Sequence, residues 1–261
     1  MKTRAQQVDR ELYAEIKAKP PLIIRVDGRN FKRLLRESDF KKPYDTRFAM
    51  SMAEATVLFF ENSGFDPVIA YSFSDEINLL FETVPFRGRL EKLDSVIASY
   101  ISSALTIIMD FNDAIAFDAR VIPVCGGDDA VEYLAQRQAE AWRNHINAYG
   151  YYGLLESGLT KKEAEERLRG MKAMDVHEML FRKGINLNET PKWQRRGFLI
   201  AKRKYDKEGY NPKTAECVTI TRYKVVQEWD LPLFKSEQGR AFLFDALRMG
   251  PKGFEPLTAR L

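Results

Sequence analysis

Apolar residues recur along this chain with two distinct periods. The run Leu22-Ile23-Ile24-Arg25-Val26 is β-branched and closed by Asp27-Gly28, which predicts a short strand ending in a turn. Phe48, Met52, Ala55 and Phe59 share one face at helical spacing, predicting a helix over 46–62 that Asn62-Ser63-Gly64 stops. Two further strands, 68–73 and 77–81, have only Ser74-Asp75-Glu76 between them, predicting a hairpin. Leu93, Ile97, Ile101, Leu105 and Ile108 line a helix over 90–110, and 117–124 reads as a fourth strand.

The order strand, helix, hairpin, helix, strand predicts an α+β fold of the ferredoxin-like βαββαβ type. Its helices would cover one face of an antiparallel sheet and leave the other for a substrate. Residues 1–18 read as a charged helix ended by Pro20-Pro21. After Gly126-Gly127-Asp128, read as a turn and helix cap, the pattern turns helical over 129–157. A capping box at Thr160-Lys161-Lys162-Glu163 opens another helix, and a short one follows near 173–181. Strand-like runs return at 198–201 and 217–221, and the tail after 229 shows no clear pattern. The expected division is a catalytic domain over 1–128 and a helical and mixed extension over 129–261.

Composition narrows the class. The chain has 261 residues, a formal net charge of +4 and 45% hydrophobic residues, with a sequence pI near 8.9. This mild basicity permits an anionic partner such as RNA without demanding one. Two cysteines, Cys125 and Cys217, and two histidines, His145 and His177, show no zinc-finger spacing. The histidines read as surface or capping residues. The charged start Met1-Lys2-Thr3-Arg4 does not read as a signal peptide, and no stretch approaches about 20 apolar residues, so no membrane association and a cytoplasmic setting are expected.

Chemistry concentrates at two turns. A glycine after Asp27 lets successive backbone N–H groups turn inward as an anion nest, although Asp-Gly is also a common turn signal. Asp75-Glu76 places two carboxylates at a tight turn, and a solvated acidic turn is the bland reading. The predicted fold brings Asp27 and Asp75 to one sheet edge, where clustered carboxylates favour a hard cation, most simply Mg²⁺. Arg25, Arg29, Lys32 and Arg33 flank Asp27, and Arg87, Arg89 and Lys92 follow the hairpin. These cations could neutralise triphosphates or form an ordinary charged surface. A second basic run, from Lys192 to Lys204, carries Trp193, Phe198 and Tyr205; this interleaving suits RNA, or a strand-edge surface.

Together these strings resemble the tRNA-His guanylyltransferase family and its 3′-to-5′ RNA polymerase relatives. The resemblance rests on Arg25-Val26-Asp27-Gly28-Arg29-Asn30-Phe31, Lys42-Pro43-Tyr44-Asp45-Thr46-Arg47 and Ile69-Ala70-Tyr71-Ser72-Phe73-Ser74-Asp75-Glu76. Phe117-Asp118-Ala119-Arg120-Val121, Arg137-Gln138-Ala139, Ser157-Gly158-Leu159-Thr160, Glu178-Met179-Leu180-Phe181 and Ile185-Asn186 follow in the family's order. The resemblance implies a polymerase/cyclase-type palm binding two Mg²⁺ ions. Asp27, Asp75 and the carbonyl of Gly28 would be metal ligands, with Glu76 supporting the site. The backbone from Gly28 through Arg29 and Asn30 to Phe31 would hold the incoming triphosphate, with Arg25 nearby and Lys32 and Asp45 near its base. Ser74, Arg89 and Lys92 would hold a second triphosphate. GTP and other NTPs would be substrates, ATP an activator of a 5′ monophosphate, tRNA the partner, and the assembly a homotetramer built as a dimer of dimers.

The family's guanylyltransferases carry a block H-I-N-N-L-Y-N shortly after R-Q-A. Here Arg143-Asn144-His145-Ile146-Asn147-Ala148-Tyr149-Gly150 holds only His-Ile-Asn, farther from Arg137, and Val176 stands where that group uses an activating lysine. Both features resemble the guanylyltransferase-like branch, which implies template-dependent 3′-to-5′ addition to 5′-truncated tRNA, an end-repair activity. Addition of G at position −1 of tRNA-His is the alternative. A nucleotide cyclase and a non-catalytic RNA-binding palm are the others.

Overall fold

The computed structural model describes residues 13, 15–31, 33, 35, 39–211 and 216–248. A single six-stranded antiparallel sheet runs through it in the order β4-β1-β3-β2-β5-β6. The strands are β1 (Leu22–Arg29), β2 (Ile69–Phe73), β3 (Glu76–Phe81), β4 (Ala116–Pro123), β5 (Phe198–Asn211) and β6 (Glu216–Glu228). The first four form the βαββαβ unit. Its crossover helices α1 (Thr46–Asn62) and α2 (Leu90–Met109) pack on one face, where Ile24, Val26, Ile77 and Leu79 meet Met52, Phe59, Ile97 and Ile101. By length and composition α2 is apolar enough to cross a membrane, against the expectation that no stretch is; its buried stripe Leu93, Ile97, Ile101 and Leu105 lies on the sheet instead.

The second face is not left free. Helix α3 (Gly127–Glu156) lays Val131, Leu134 and Ala135 against Ile23, Tyr71 and Leu80, and α7 (Glu237–Arg248) adds Leu243 and Leu247. The expected open face is therefore covered over its apolar half, because β2 and β3 are buried along their whole length and need apolar partners on both sides. Helices α4 (Lys161–Arg169), α5 (Ala173–Arg182) and α6 (Lys192–Arg196) complete the described helices, and α5 closes a small core around Ile146, Val176, Leu180 and Leu187.

Three further expectations change. Most of the predicted helix over 1–18 lies outside the described residues, and where it enters them Lys17 forms an isolated bridge with Arg89 rather than a helical turn. The predicted strands at 198–201 and 217–221 are cores of much longer strands that extend the first sheet. The hairpin turn is Ser74-Asp75 alone, since Glu76 is already strand.

Candidate active site

The carboxylates meet through strand register. Asp27 on β1 stands opposite Glu76 on β3 and opposite Asp118 on β4, so three acids cross the sheet in one row. Directly opposed residues hold their Cβ atoms roughly 4.5–5.5 Å apart. The next row on this face is Arg120, Arg25 and Asn78, so a cationic row backs the acidic one. Burial is the first cause raising the Asp27 pKa, followed by the charges of Glu76 and Asp118, while Arg25 and Arg120 pull it back.

Asp75 joins from the turn. The Gly28 N–H donates to the Asp75 carbonyl at 3.1 Å, tying the end of β1 to the hairpin. Ser74 adopts a left-handed φ of 52° and its hydroxyl donates to Asp75 Oδ1 at 3.0 Å. The Asp75 pKa is pushed up to about 6, first by burial and further by Asp27 and Glu76, with the Ser74 hydrogen bond opposing. Asp27 and Asp75 thus ionise at a cost that a cation would remove.

Glu76 is differently committed. Arg137 of α3 binds it through two guanidinium nitrogens, Nε donating to Oε1 at 2.8 Å and Nη2 to Oε2. The Asn78 amide donates to the same Oε1 at 2.8 Å and to the Tyr71 carbonyl at 3.3 Å, and its oxygen accepts from Tyr133. Glu76 is therefore a neutralised strut beside Asp27. Asp118 is held less firmly: its Oδ1 lies 3.3 Å from Arg120 Nε but accepts no hydrogen bond among the described residues. Among the described residues no group of three or more His, Cys, Asp or Glu side chains forms a metal cage. The Asp27 and Asp75 carboxylates offer oxygen ligands of the kind Mg²⁺ accepts when substrate phosphates complete its shell.

The loop after β1 is shaped for close backbone approach. A Cβ on Gly28 would lie 2.5 Å from the Phe31 ring and 2.9 Å from the Asp75 Cβ. Asn30 takes a left-handed φ of 61°, and Phe31 anchors the loop in the core between Phe48 and Phe117. Successive N–H groups in such a turn form an anion nest.

Other expected site residues fall elsewhere. Lys32 lies outside the described residues. Asp45 caps α1: it accepts from the Arg47 and Lys41 N–H groups and pairs with the Arg47 side chain, which is the largest cause lowering its pKa to about 2. Arg89 and Lys92 begin α2 beside Ile16 and Ala18, at the end of the sheet where β1 starts. Asp27 is about 17 Å of strand away, at roughly 3.3 Å per residue. One chain does not bring them to the carboxylates.

Sequence reasoning missed Asp118, Asn78, Tyr133 and the role of Arg137. It also missed His145, which is fully buried and not at the surface. Its ring sits among Tyr44, Trp142 and Tyr149, and its Nε2 meets the Thr190 hydroxyl at 3.0 Å. Burial, then Arg195, lowers its pKa to about 4. Tyr44 is packed against Trp193 of α6 as well, so this cluster clamps the loop before α1 onto the C-terminal helices.

Two family models match in tandem. The model described as tRNAHis guanylyltransferase matches residues 4–125, and that described as Thg1 C terminal domain matches 129–230. A probable tRNA(His) guanylyltransferase from Bos taurus is 33% identical over 78% of this chain and 75% of its own length. The chain belongs to the tRNA(His) guanylyltransferase family. Its reaction class is that of a nucleotidyltransferase. The Homo sapiens relative, also named a probable tRNA(His) guanylyltransferase, is 33% identical over 78% of the chain and 75% of its own length. Among solved structures, a bacterial guanylyltransferase-like protein in complex with ATP covers 94% of this chain and 98% of its own at TM-score 0.70 and 23% identity. The Saccharomyces cerevisiae tRNA(His) guanylyltransferase covers 76% and 92% at TM-score 0.65 and 23% identity. At that identity the two share the fold with this family member.

Proposed function

We propose that this protein adds nucleotides in the 3′-to-5′ direction to the 5′ end of tRNA, directed by the opposing strand, and so repairs truncated ends. The observation that carries the proposal is the pairing of Asp27 and Asp75 at the sheet edge beside the Gly28 loop. Asp27, Asp75 and the Gly28 carbonyl would hold two Mg²⁺ ions, which would activate the attacking hydroxyl and offset triphosphate charge. The chain's own contribution is positioning. The Gly28–Phe31 backbone holds an incoming triphosphate, Arg25 and Arg120 supply counter-charge behind the acids, and Arg137 pairs with Glu76 and so offsets part of the charge it adds beside theirs. In this reading 1–128 is the catalytic unit, and 129–261 completes it through Arg137 and Tyr133 and binds tRNA. GTP, ATP and other NTPs serve as substrates or activators; a bacterial relative solved separately with ATP and with GTP supports nucleotides as ligands. The assembly is a homotetramer acting in the cytoplasm.

A second reading, addition of G at position −1 of tRNA-His, is favoured by the names of the curated relatives. Against it, the His-Ile-Asn stretch serves packing: His145 and Ile146 are buried in the helical core. The two readings separate when intact tRNA-His and a tRNA lacking its first nucleotide are each incubated with all four NTPs. Templated restoration of the truncated end, outpacing G addition to the intact one, is the expected result. Faster untemplated G addition would establish the second reading.

A further inference from the structure

Helix α3 grips two neighbouring rows of the sheet. Tyr133 and Arg137 lie one turn apart on it and so share a face. Arg137 reaches Glu76 in the acidic row, and the Tyr133 hydroxyl donates to Asn78 Oδ1 at 3.1 Å in the row behind. Chemistry leaves each hydrogen bond of this chain one direction. Asn78 is fully buried, and the Glu76 carboxylate and Tyr71 carbonyl beside it can only accept. Its amide nitrogen must face them, and its oxygen must face Tyr133. The single Tyr133 proton is committed to that oxygen, so only the lone pairs of the hydroxyl remain for Arg25, a pure donor that stands opposite Asn78 on β1. Burial raises the Tyr133 pKa, while the charge of Arg25 and a hydrogen bond from it pull it back.

Arg25 has few other restraints. It forms no ion pair among the described residues, whereas Arg120 in the same row pairs with Asp118, and its Nε is buried without a hydrogen-bond partner among them. A packing role for Tyr133 would need only its ring, which lies against the apolar layer between α3 and the sheet. A phenylalanine would keep that contact. The hydroxyl is the part that packing does not require, and it is the part that joins Asn78 to Arg25. Without it Asn78 Oδ1 is buried with no donor, and turning the amide over would set that oxygen against Glu76. Arg25 would lose an acceptor and sample more rotamers.

We propose that Tyr133 is a positioning residue for nucleotide transfer: its hydroxyl, anchored by Asn78, fixes the Arg25 guanidinium as the counter-charge behind Asp27. The proposal rests on the functional reading above. Tyr133 touches no reacting atom and acts through Arg25, two residues before Asp27 on the same face of β1. A charge held in one place stabilises a transition state beside it without first having to be ordered, and a mobile one does not. The effect therefore falls on the rate of transfer rather than on the affinity for nucleotide or tRNA.

The test is a cycle of wild type, Tyr133→Phe, Arg25→Met and the double variant, on the full chain, with circular dichroism to establish that each is folded. Addition to a tRNA lacking its 5′ nucleotide is followed with Mg²⁺ and all four NTPs. Single turnover with saturating enzyme gives a rate constant that does not depend on the fraction of enzyme folded, and steady state gives KM. Tyr133→Phe should lower the single-turnover rate constant about tenfold, the scale of one hydrogen bond from a charged group. Its KM for NTP and for tRNA should stay within about twofold of wild type. In the Arg25→Met background the same substitution should change the rate constant by less than about twofold, because its effect passes through Arg25. A wild-type rate constant from Tyr133→Phe, a change confined to KM, or a further tenfold loss on top of Arg25→Met overturns the assignment and leaves the functional reading standing. Wild-type protein that adds nothing to the tRNA overturns both.

Discussion

Removing Arg137 should expose how Glu76 is held. Glu76 is 6% exposed, and its two carboxylate oxygens take two of the three guanidinium nitrogens and the Asn78 amide. In an Arg137→Met variant the charge stays buried with one neutral donor left. Breaking a buried pair by removing one partner costs about 3–5 kcal/mol, and the surviving Asn78 bond argues for the lower end, about 3 kcal/mol. Glu76→Gln should cost less, about 1–2 kcal/mol, because the Arg137 side chain, 19% exposed, can turn to water. The double variant has no unpaired carboxylate, so its loss should fall short of the sum by about 2 kcal/mol. Urea unfolding of the four proteins, with m unchanged across the series, measures this directly. Strict additivity, or an Arg137→Met loss below about 1 kcal/mol, would refute the assignment of Glu76 as a neutralised strut.

Two other perturbations follow from the same geometry. Gly28→Ala drives a methyl into the Phe31 ring and the Asp75 Cβ, so turnover should collapse while stability drops by about 1–3 kcal/mol; wild-type turnover would show that the loop needs no close approach. His145 is held neutral, with a folded pKa near 4 against an unfolded value of 6.5. Its lowered pKa means the stability it protects is fully present above pH about 6.5 and is lost as pH falls toward 4. Between pH 7 and 5 wild type should lose about 2 kcal/mol relative to His145→Phe, and parallel pH profiles would contradict the burial of a neutral ring.

The first half of the fold was legible because each element buries one clear face. Ile24, Val26, Ile77 and Leu79 alternate or run together in strands, and Leu93 to Leu105 repeat at helical spacing. The β5–β6 hairpin beyond Ala201 was not legible, since both of its faces are polar and its strands rest on ladder pairing rather than an apolar period. Asp27 and Asp75 could be read as a pair once the strand order was set. Asp118 could have been found from the same order, as antiparallel register alone puts it opposite Asp27. The fate of Glu76 could not, because its partner Arg137 comes from a distant helix whose packing no local pattern records. His145 was misplaced at the surface for the same reason: Tyr44 and Trp142 close over it only in the folded chain.

We propose that Asp27 and Asp75 together bind the divalent ions that drive transfer onto a 5′ end. This is tested most directly by single-turnover addition to a 5′-truncated tRNA, with Mg²⁺ titrated, in wild type, Asp27→Ala and Asp75→Ala. Wild type should give metal-dependent product. Either substitution should cut the rate at least about 100-fold, with folding and tRNA binding retained. Metal-independent addition, or wild-type rates from both variants, would contradict it.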